Sequence, residues 1–161
     1  MPVKRLIDYL DRNLVQYETI EHSTAFTAQG IAALTHTPGS QFAKAIVVKL
    51  NGVFAMAVVP ASYHVDLRKL KEETGATTIA LASEMEFRAL FPECETGAMP
   101  PFGNLYGMPV YVDESLTHLT TATFNAGSHR EMIRMAWRDY EVLVQPTAVS
   151  ISTHAAGAHA A

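Results

Sequence analysis

The sequence predicts a single α+β domain built on a mixed, largely antiparallel sheet with short helices packed around it. Its 161 residues suffice for one domain with a sizeable core. Hydrophobic residues make up 48% and charged residues 17%, which excludes a disordered chain. Strand-like runs and short amphipathic helices occur without the regular β-α-β alternation of a doubly wound fold. We expect residues 1–152 to form the domain and residues 153–161, mostly Ala, Gly and His, to form a disordered tail.

The N-terminal part of the chain predicts a helix, a strand and a second helix. Four apolar residues recur at helical spacing with charged residues between them: Leu6, Ile7, Leu10 and Leu14. Tyr17–Glu21 alternates, which favours a strand. Thr27 is a candidate N-cap for a helix over residues 28–34, and the Pro-Gly breaker at residues 37–39 follows it.

The clearest local signal is a β-hairpin. Residues 43–50 and 53–60 are both rich in β-branched and apolar side chains, and Asn51-Gly52 separates them. Asn-Gly between two such runs predicts a type I′ turn, because both of its central residues need a positive φ.

The middle of the chain predicts two capped helices and a long loop. The first helix begins after Asp66 and ends at Gly75. A short strand over residues 77–81 precedes Ser83–Glu86, a capping box that opens the second helix. Residues 92–109 contain four prolines and three glycines, so we expect an irregular loop there.

The last third predicts strands over residues 109–113 and 121–125, then a turn over residues 125–129. Residues 130–136 are ambiguous between strand and helix. Residues 139–143 indicate a short closing helix.

Charge and cysteine content exclude several classes of protein. The formal charge of −4 is unlike that of a tight, non-specific nucleic-acid binder, so we expect no DNA partner. Cys94 is the only cysteine, which excludes an intramolecular disulfide and fits a reducing cytoplasm. Its neighbours Glu93 and Glu95 make it a poor nucleophile. The N-terminus lacks the apolar core of a signal peptide, and no apolar run is long enough to span a bilayer, so we expect no membrane partner.

Common catalytic and cofactor motifs are missing from the sequence. There is no H-E-x-x-H, no P-loop, no dinucleotide-binding glycine motif and no G-x-S-x-G. The seven histidines are scattered singly, so no metal site is expected: His22, His36, His64, His118, His129, His154 and His159. We expect no cofactor.

Lys44 is unusual because it lies within an apolar strand run. Alternation places it on the same face as Ile46 and Val48, while Lys49 shares the other face with Ala45 and Val47. Taken alone, Lys44 is more often an edge lysine reaching solvent than a functional residue.

Four segments in a fixed order carry more information than any one of them. They are Phe-Ala-Lys44-Ala-Ile-Val-Val-Lys-Leu-Asn-Gly, then Gly97-Ala-Met-Pro-Pro-Phe-Gly103, then Gly107-Met-Pro-Val-Tyr-Val-Asp, then Phe124-Asn-Ala-Gly-Ser-His129. In this order and spacing, over roughly residues 15 to 145, the chain resembles the YbaK / prolyl-tRNA-synthetase-associated editing domain family.

The resemblance implies an activity and a set of site residues. Members hydrolyse the ester that joins a wrong amino acid to the 3′ end of a tRNA, so mischarged tRNA is the implied partner, with a possible aminoacyl-tRNA synthetase beside it. Lys44 is the implied catalytic residue. The implied substrate-binding residues are Gly97, Ala98, Pro101, Gly103, Asn125, Gly127 and His129. The histidine that matches His129 lies near the amino end of the substrate in prolyl-synthetase editing domains.

The chemistry of ester hydrolysis suits these residue types. Attack of water builds negative charge on the carbonyl oxygen, which oriented N–H groups or a cation stabilise. Lys44 can polarise the carbonyl or hold a phosphate of the terminal adenosine, and the sequence does not choose between these roles. No side chain is an obvious general base. The family implies that a vicinal hydroxyl of the terminal ribose orients the water.

The sequence departs from the family pattern at two positions, and two other functions stay open. Ala98 replaces a common second glycine, and Ala45 replaces a common small polar residue, so the amino acid removed is not defined. One alternative is a non-catalytic module that binds an aminoacyl-adenosine-like ligand or a synthetase. The other is a hydrolase of other small esters or thioesters. The basic residues that cluster enough to meet a phosphate backbone are Arg68, Lys69 and Lys71, and Arg130, Arg134 and Arg138.

Overall fold

The computed structural model describes residues 3–21 and 41–153 and has the α+β architecture that the sequence predicts. The helices are α1 (Lys4–Arg12), α2 (Leu67–Thr74), α3 (Glu84–Leu90) and α4 (Trp137–Val144). The strands are β1 (Tyr17–Glu21), β2 (Ala43–Leu50), β3 (Val53–Pro60), β4 (His64–Val65), β5 (Ile79–Leu81), β6 (Val110–Asp113), β7 (Thr121–Ser128), β8 (Glu131–Ala136), β9 (Thr147–Val149) and β10 (Ser152–Thr153). The helix predicted over residues 28–34 lies outside the described residues.

Within the described residues the strands form three sheets. A five-stranded sheet has the order β5-β2-β3-β6-β9, a three-stranded sheet has the order β1-β8-β7, and β10 pairs with β4. The β3–β6 and β6–β9 pairs are parallel, whereas the other five pairs are antiparallel. This confirms a mixed, largely antiparallel arrangement.

The hairpin prediction is confirmed residue by residue. β2 and β3 pair from Ala43 opposite Pro60 to Leu50 opposite Val53. Asn51 has φ 52° and Gly52 has φ 79°, the pair of positive angles that a type I′ turn requires.

The predicted caps are also present. The Asp66 side chain accepts hydrogen bonds from the N–H groups of Arg68 and Lys69, and Gly75 ends α2 in the left-handed conformation. Ser83 and Glu86 form the capping box of α3. These caps satisfy N–H groups that a helix start leaves without partners.

Leu14 does not belong to the first helix, contrary to the prediction. The helix ends at Arg12 because the chain then closes with C-terminal hydrogen bonds, from the Leu14 N–H to Asp11 O and from the Val15 N–H to Leu10 O, each at 3.1 Å. Leu14 then turns with φ 57° and is 90% exposed. Helical spacing therefore overestimated the helix by about half a turn.

Near residue 125 the structure differs from the prediction in a way that matters for the site. The expected turn over residues 125–129 is wrong, because β7 continues to Ser128 and the chain reverses at His129 and Arg130. A register shift lies between Asn125 and Ser128, so this segment is a bulged strand. Its Asn and Gly content matches turn chemistry as well as bulge chemistry, which misled the prediction. Residues 131–136 form β8, which resolves the ambiguity in favour of a strand.

The C-terminal segment is ordered further than expected. Thr153, placed in the predicted tail, pairs with His64 in the β4–β10 ladder, while residues 154–161 lie outside the described residues. Asp113 fixes this segment, because its Oδ1 accepts the N–H groups of Ile151 and Ser152, each at 3.0 Å. Its Oδ2 accepts hydrogen bonds from the backbone and side chain of Ser115.

Two hydrophobic cores lie on opposite faces of the five-stranded sheet. The main core packs this sheet against the three-stranded sheet and the apolar faces of α1 and α4. The second core packs the other face against α2. A small cluster of Phe42, Ala61, Met132 and Ile20 lies where β2 begins beside the three-stranded sheet. Ala45 and Val47 pack on the main core, and Ile46 and Val48 on the second, as the alternation of β2 predicts.

Candidate active site

The open edge of β7 brings the predicted site residues together. Phe42 forms an isolated parallel bridge with Thr123, so the start of β2 runs beside β7. Further along the same edge, the Gly127 N–H donates to the Ala98 carbonyl at 2.9 Å. One strand therefore contacts the segment before Lys44 at one point and the loop that follows Cys94 at another. At the usual rise of a strand these two points are about 13 Å apart.

Lys44 emerges from β2 onto the face that also carries Asn125. Lys44 lies two residues after Phe42, so the two side chains point to the same face of the strand. Phe42 packs against Met132 on that face. Met132 is directly opposite Asn125 in the β7–β8 ladder, which places both side chains on that face. Lys44 is half-buried, and burial lowers the pKa of its ammonium group below the ordinary value. Within the described residues the ammonium group has no ion pair.

Gly97 and Ala98 belong to a tight turn that is held against β7. The Ala98 N–H donates to the Glu95 carbonyl at 3.0 Å, and the Glu95 N–H donates to the Gly127 carbonyl at 2.8 Å. Gly97 has φ 84°, which is why a glycine occupies this position. Ala98 is fully buried, whereas Gly97 is exposed. Within the described part of the chain, the Gly97 N–H donates no hydrogen bond.

Pro101 and Gly103 lie in the same loop but contact the core. The Pro101 carbonyl accepts a 2.6 Å hydrogen bond from the buried hydroxyl of Tyr140. A Cβ on Gly103 would lie 2.8 Å from Val110 Cγ2 and 3.0 Å from Met108 Cγ, so only glycine fits there. Both residues fix the shape of the loop, and their contact with substrate stays a prediction.

Asn125 has a buried amide with an open acceptor. The residue is 8% exposed, and its buried Oδ1 accepts no hydrogen bond from the residues that the structure describes. A buried acceptor without a partner is costly, which makes it a candidate for contact with a ligand donor.

Gly127 lies in the bulge of β7 with φ 104°. A Cβ there would lie 2.1 Å from Val3 Cγ2, and the Val3 N–H donates to Ala126 O at 2.9 Å. The segment before α1 thus packs on the back of the bulge.

His129 contacts the turn at residues 95–98. Its Nε2 lies 2.7 Å from the Thr96 carbonyl oxygen, and its backbone N–H donates to Glu95 Oε1 at 3.0 Å. A Cβ on Gly97 would lie 3.7 Å from the ring. The sequence analysis named His129 as a candidate but did not name Glu95, because the spacing gave no signal for the hydrogen bond between these two residues.

Other candidates for chemistry lie apart from this edge. Burial raises the pKa of the Cys94 thiol to about 11, so it is a weak nucleophile at neutral pH. In residues 3–21 and 41–153, no group of three or more His, Cys, Asp or Glu is placed to hold a metal ion. Lys49 faces away from Lys44 and pairs with Glu86 at 2.9 Å. The helices of the described segments are all too short or too polar to cross a membrane.

The basic clusters differ in how accessible they are. Lys69 binds the Ser152 carbonyl at 3.3 Å, and Arg134 binds Thr123 Oγ1 at 3.3 Å and Glu18 at 3.4 Å. The remaining cluster members are exposed: Arg68, Lys71, Arg130 and Arg138.

Comparison with known proteins adds independent information about this chain. A family model described as the aminoacyl-tRNA editing domain matches residues 22–143. The Multifunctional Ser/Thr-tRNA deacylase ProXp-y of Escherichia coli strain K12 is 28% identical over 152 residues, which cover 91% of this chain and 90% of that protein. A proline–tRNA ligase of Bacillus cytotoxicus is 28% identical over 96 residues, 60% of this chain and 17% of its own length.

Solved structures share the fold. A candidate trans-editing enzyme for prolyl tRNA synthetase superposes with a TM-score of 0.80 at 21% identity, covering 93% of this chain and 96% of that one. The hypothetical protein APE2540 superposes with a TM-score of 0.84 at 18% identity, covering 93% and 100%. At these identities the similarity shows a common architecture.

Proposed function

Since the chain belongs to the aminoacyl-tRNA editing domain family, we propose that it is a trans-acting aminoacyl-tRNA deacylase that hydrolyses the ester of mischarged tRNA. The family match carries this proposal. The match over nearly the full length of a Ser/Thr-tRNA deacylase supports an enzyme that acts without being part of a synthetase chain.

The arrangement along β7 supports the same activity. A half-buried cation without an ion pair among the described residues, Lys44, shares a face with the buried acceptor of Asn125. The exposed Gly97, whose N–H is open within the described residues, lies on the turn that pairs with Gly127. A cation, an N–H donor and an amide oxygen acceptor along one strand edge are complementary to the carbonyl and donor groups of an aminoacyl ester.

In the proposed reaction, water attacks the ester carbonyl and the negative charge that develops on its oxygen is stabilised by the Gly97 N–H and Lys44. Burial disfavours the charged form of Lys44, so an approaching anion recovers part of that cost. When the bond between the carbonyl carbon and the ribose oxygen breaks, that oxygen takes the proton that the attacking water has lost. The terminal ribose therefore leaves with its hydroxyl restored. A vicinal ribose hydroxyl orients the water, since the described residues offer no obvious general base.

We propose serine and threonine as the amino acids removed. The relative that matches over 90% of its length carries Ser/Thr-tRNA in its name. Asn125 offers a buried acceptor, which favours a side chain that carries a hydroxyl donor.

The partner is the 3′ aminoacyl end of tRNA, and we propose a synthetase as a second partner that supplies most of the tRNA affinity. The charge of −4 disfavours strong tRNA binding by this chain alone.

The test is release of labelled amino acid from a panel of correctly and incorrectly charged tRNAs, comparing the wild type with Lys44→Ala and Lys49→Ala. We expect hydrolysis of seryl or threonyl esters on a non-cognate tRNA and a loss of roughly 10²-fold or more in Lys44→Ala. Lys49→Ala is the matched control, because Lys49 lies in the same strand on the opposite face. It is expected to retain activity.

Folded wild-type protein that releases no amino acid from any pair would refute the proposal. An equal loss in both lysine variants would refute the role of Lys44 and leave the activity in place.

A further inference from the structure

We propose that His129 and Glu95 are positioning residues that set the direction of the Gly97 N–H by holding the Thr96–Gly97 peptide in one orientation. The inference rests on the proposed deacylase function, in which this N–H contacts the substrate. It gives His129 a role different from contact with the amino end of the substrate, which the family resemblance implies.

The turn at residues 95–98 has a peptide that can adopt two orientations. The hydrogen bond from Ala98 N–H to Glu95 O closes a four-residue turn with Thr96 and Gly97 at its centre. Gly97 has φ 84° and Thr96 has no positive φ, which is the type II pattern. Types I and II differ by a half-turn rotation of the central peptide, here the one that joins Thr96 to Gly97.

His129 contacts the oxygen of that peptide. A carbonyl oxygen accepts hydrogen bonds, so Nε2, at 2.7 Å, must carry the proton and donate. In a trans peptide the C=O and the N–H point in opposite directions. The bond to Thr96 O therefore directs the Gly97 N–H away from the His129 ring.

Glu95 is the first residue of the turn, and its side chain also holds His129 in place. Its Oε1 accepts the His129 backbone N–H at 3.0 Å, and its own N–H binds Gly127 O at 2.8 Å. The ring packs close to Gly97, where a Cβ would lie 3.7 Å from Cε1. Glu95 is therefore bound both to Gly127 of β7 and to His129, which follows directly after that strand; we call the Glu95–His129 pair the clamp.

A flipped peptide would harm catalysis in two ways. It would remove the N–H donor and present the Thr96 carbonyl oxygen where negative charge develops. Loss of one oriented donor of this kind typically costs ~10²–10³ in kcat. Because the peptide retains some of its orientation without His129, we expect a smaller loss in the variant.

The test combines enzyme variants with two substrates that differ only in the amino group. Wild type, His129→Ala and His129→Gln are assayed on a seryl-tRNA and on the same tRNA esterified with the matching α-hydroxy acid. We expect His129→Ala to lower kcat by about 10- to 100-fold with little change in KM, by the same factor on both substrates. His129→Gln is expected to return within about threefold of wild type, because its amide can donate to Thr96 O. His118→Ala, an exposed histidine on another element, is the control.

A loss in His129→Ala that disappears on the substrate without an amino group would overturn the proposal, because it would mean direct contact with that group. A loss that His129→Gln does not restore would also overturn it.

A second readout does not depend on activity. The ¹⁵N–¹H resonance of Gly97 is expected to shift in His129→Ala and in Glu95→Ala and to return toward the wild-type position in His129→Gln. An unchanged resonance in both alanine variants would refute the clamp. If the wild type hydrolyses no aminoacyl-tRNA, the proposed function fails, and this spectrum still decides whether the clamp exists.

Discussion

Replacing Tyr140 by Phe is expected to destabilise the domain, because it removes one buried hydrogen bond. The Tyr140 hydroxyl donates to Pro101 O at 2.6 Å, and the side chain is only 1% exposed. Phe keeps the ring contacts with Phe102 and Trp137, so the change removes little apolar surface.

The expected loss of stability depends on the Pro101 carbonyl, which stays buried without a donor when the hydroxyl is removed. A buried hydrogen bond contributes about 1 kcal/mol net, but a carbonyl left buried without a partner costs about 1–3 kcal/mol. We expect a loss near 2 kcal/mol in the free energy of unfolding. For a domain of this size that corresponds to a drop in Tm of roughly 4–8 °C.

Thermal and urea unfolding of Tyr140→Phe and Tyr111→Phe provide the measurement. Tyr111 is the matched control, because it is half-buried in β6 and, among the described residues, its hydroxyl makes no hydrogen bond. Its Phe variant is expected to stay within about 0.5 kcal/mol of wild type. Equal stabilities for the two variants would refute the argument that Tyr140 holds the loop at Pro101.

Two further predictions concern stability. Burial raises the pKa of the Asp113 carboxyl, but the hydrogen bonds that it accepts outweigh burial and bring this pKa below the ordinary value. The ionised carboxylate therefore stabilises the fold near neutral pH, and this stabilisation is lost as the pH falls through the folded-state pKa. The stability advantage of wild type over Asp113→Asn, measured by urea unfolding, should therefore shrink below about pH 4, and a constant difference would contradict this. Gly127→Ala is expected to lower the stability of the fold more than Gly52→Ala. Both glycines have a positive φ, which costs an alanine roughly 1–2 kcal/mol, but only at Gly127 would the new Cβ also clash with Val3. Equal losses of Tm in the two variants would argue against that clash.

Local signals in the sequence predicted the elements that depend on local chemistry. The hairpin at Asn51-Gly52 and the cap at Asp66 depend on residues within a few positions, and both were confirmed. The Asn125 segment was predicted as a turn because Asn and Gly favour turns and bulges alike. The bulge packs against Val3, which is far away in sequence, and so local composition does not distinguish it from a turn. The pairing of β9 beside β6 also depends on distant contacts and was missed.

The sequence named candidate site residues, which stay predictions, and it did not indicate how they are arranged. The order of the four segments in the sequence indicates Lys44 and the loop after Cys94. β7 contacts both segments, through the Phe42–Thr123 bridge and the Gly127–Ala98 hydrogen bond, and these contacts depend on tertiary packing and have no periodic signal. The sequence did not identify Glu95 either, because its hydrogen bond with the His129 N–H also depends on tertiary packing.

The pairing of β1 with β8 has a consequence for how the protein is made. Tyr17 lies opposite Met135, and among the strands of the described residues β8 is the neighbour of β1 in its sheet. During synthesis β1 leaves the ribosome early, and its described partner β8 is complete only when Ala136 has emerged. The β2–β3 hairpin can form long before, since its contacts are local. The sheet that carries Asn125 and Gly127 is therefore completed late, and a nascent chain stopped before β8 has a folded hairpin but no site.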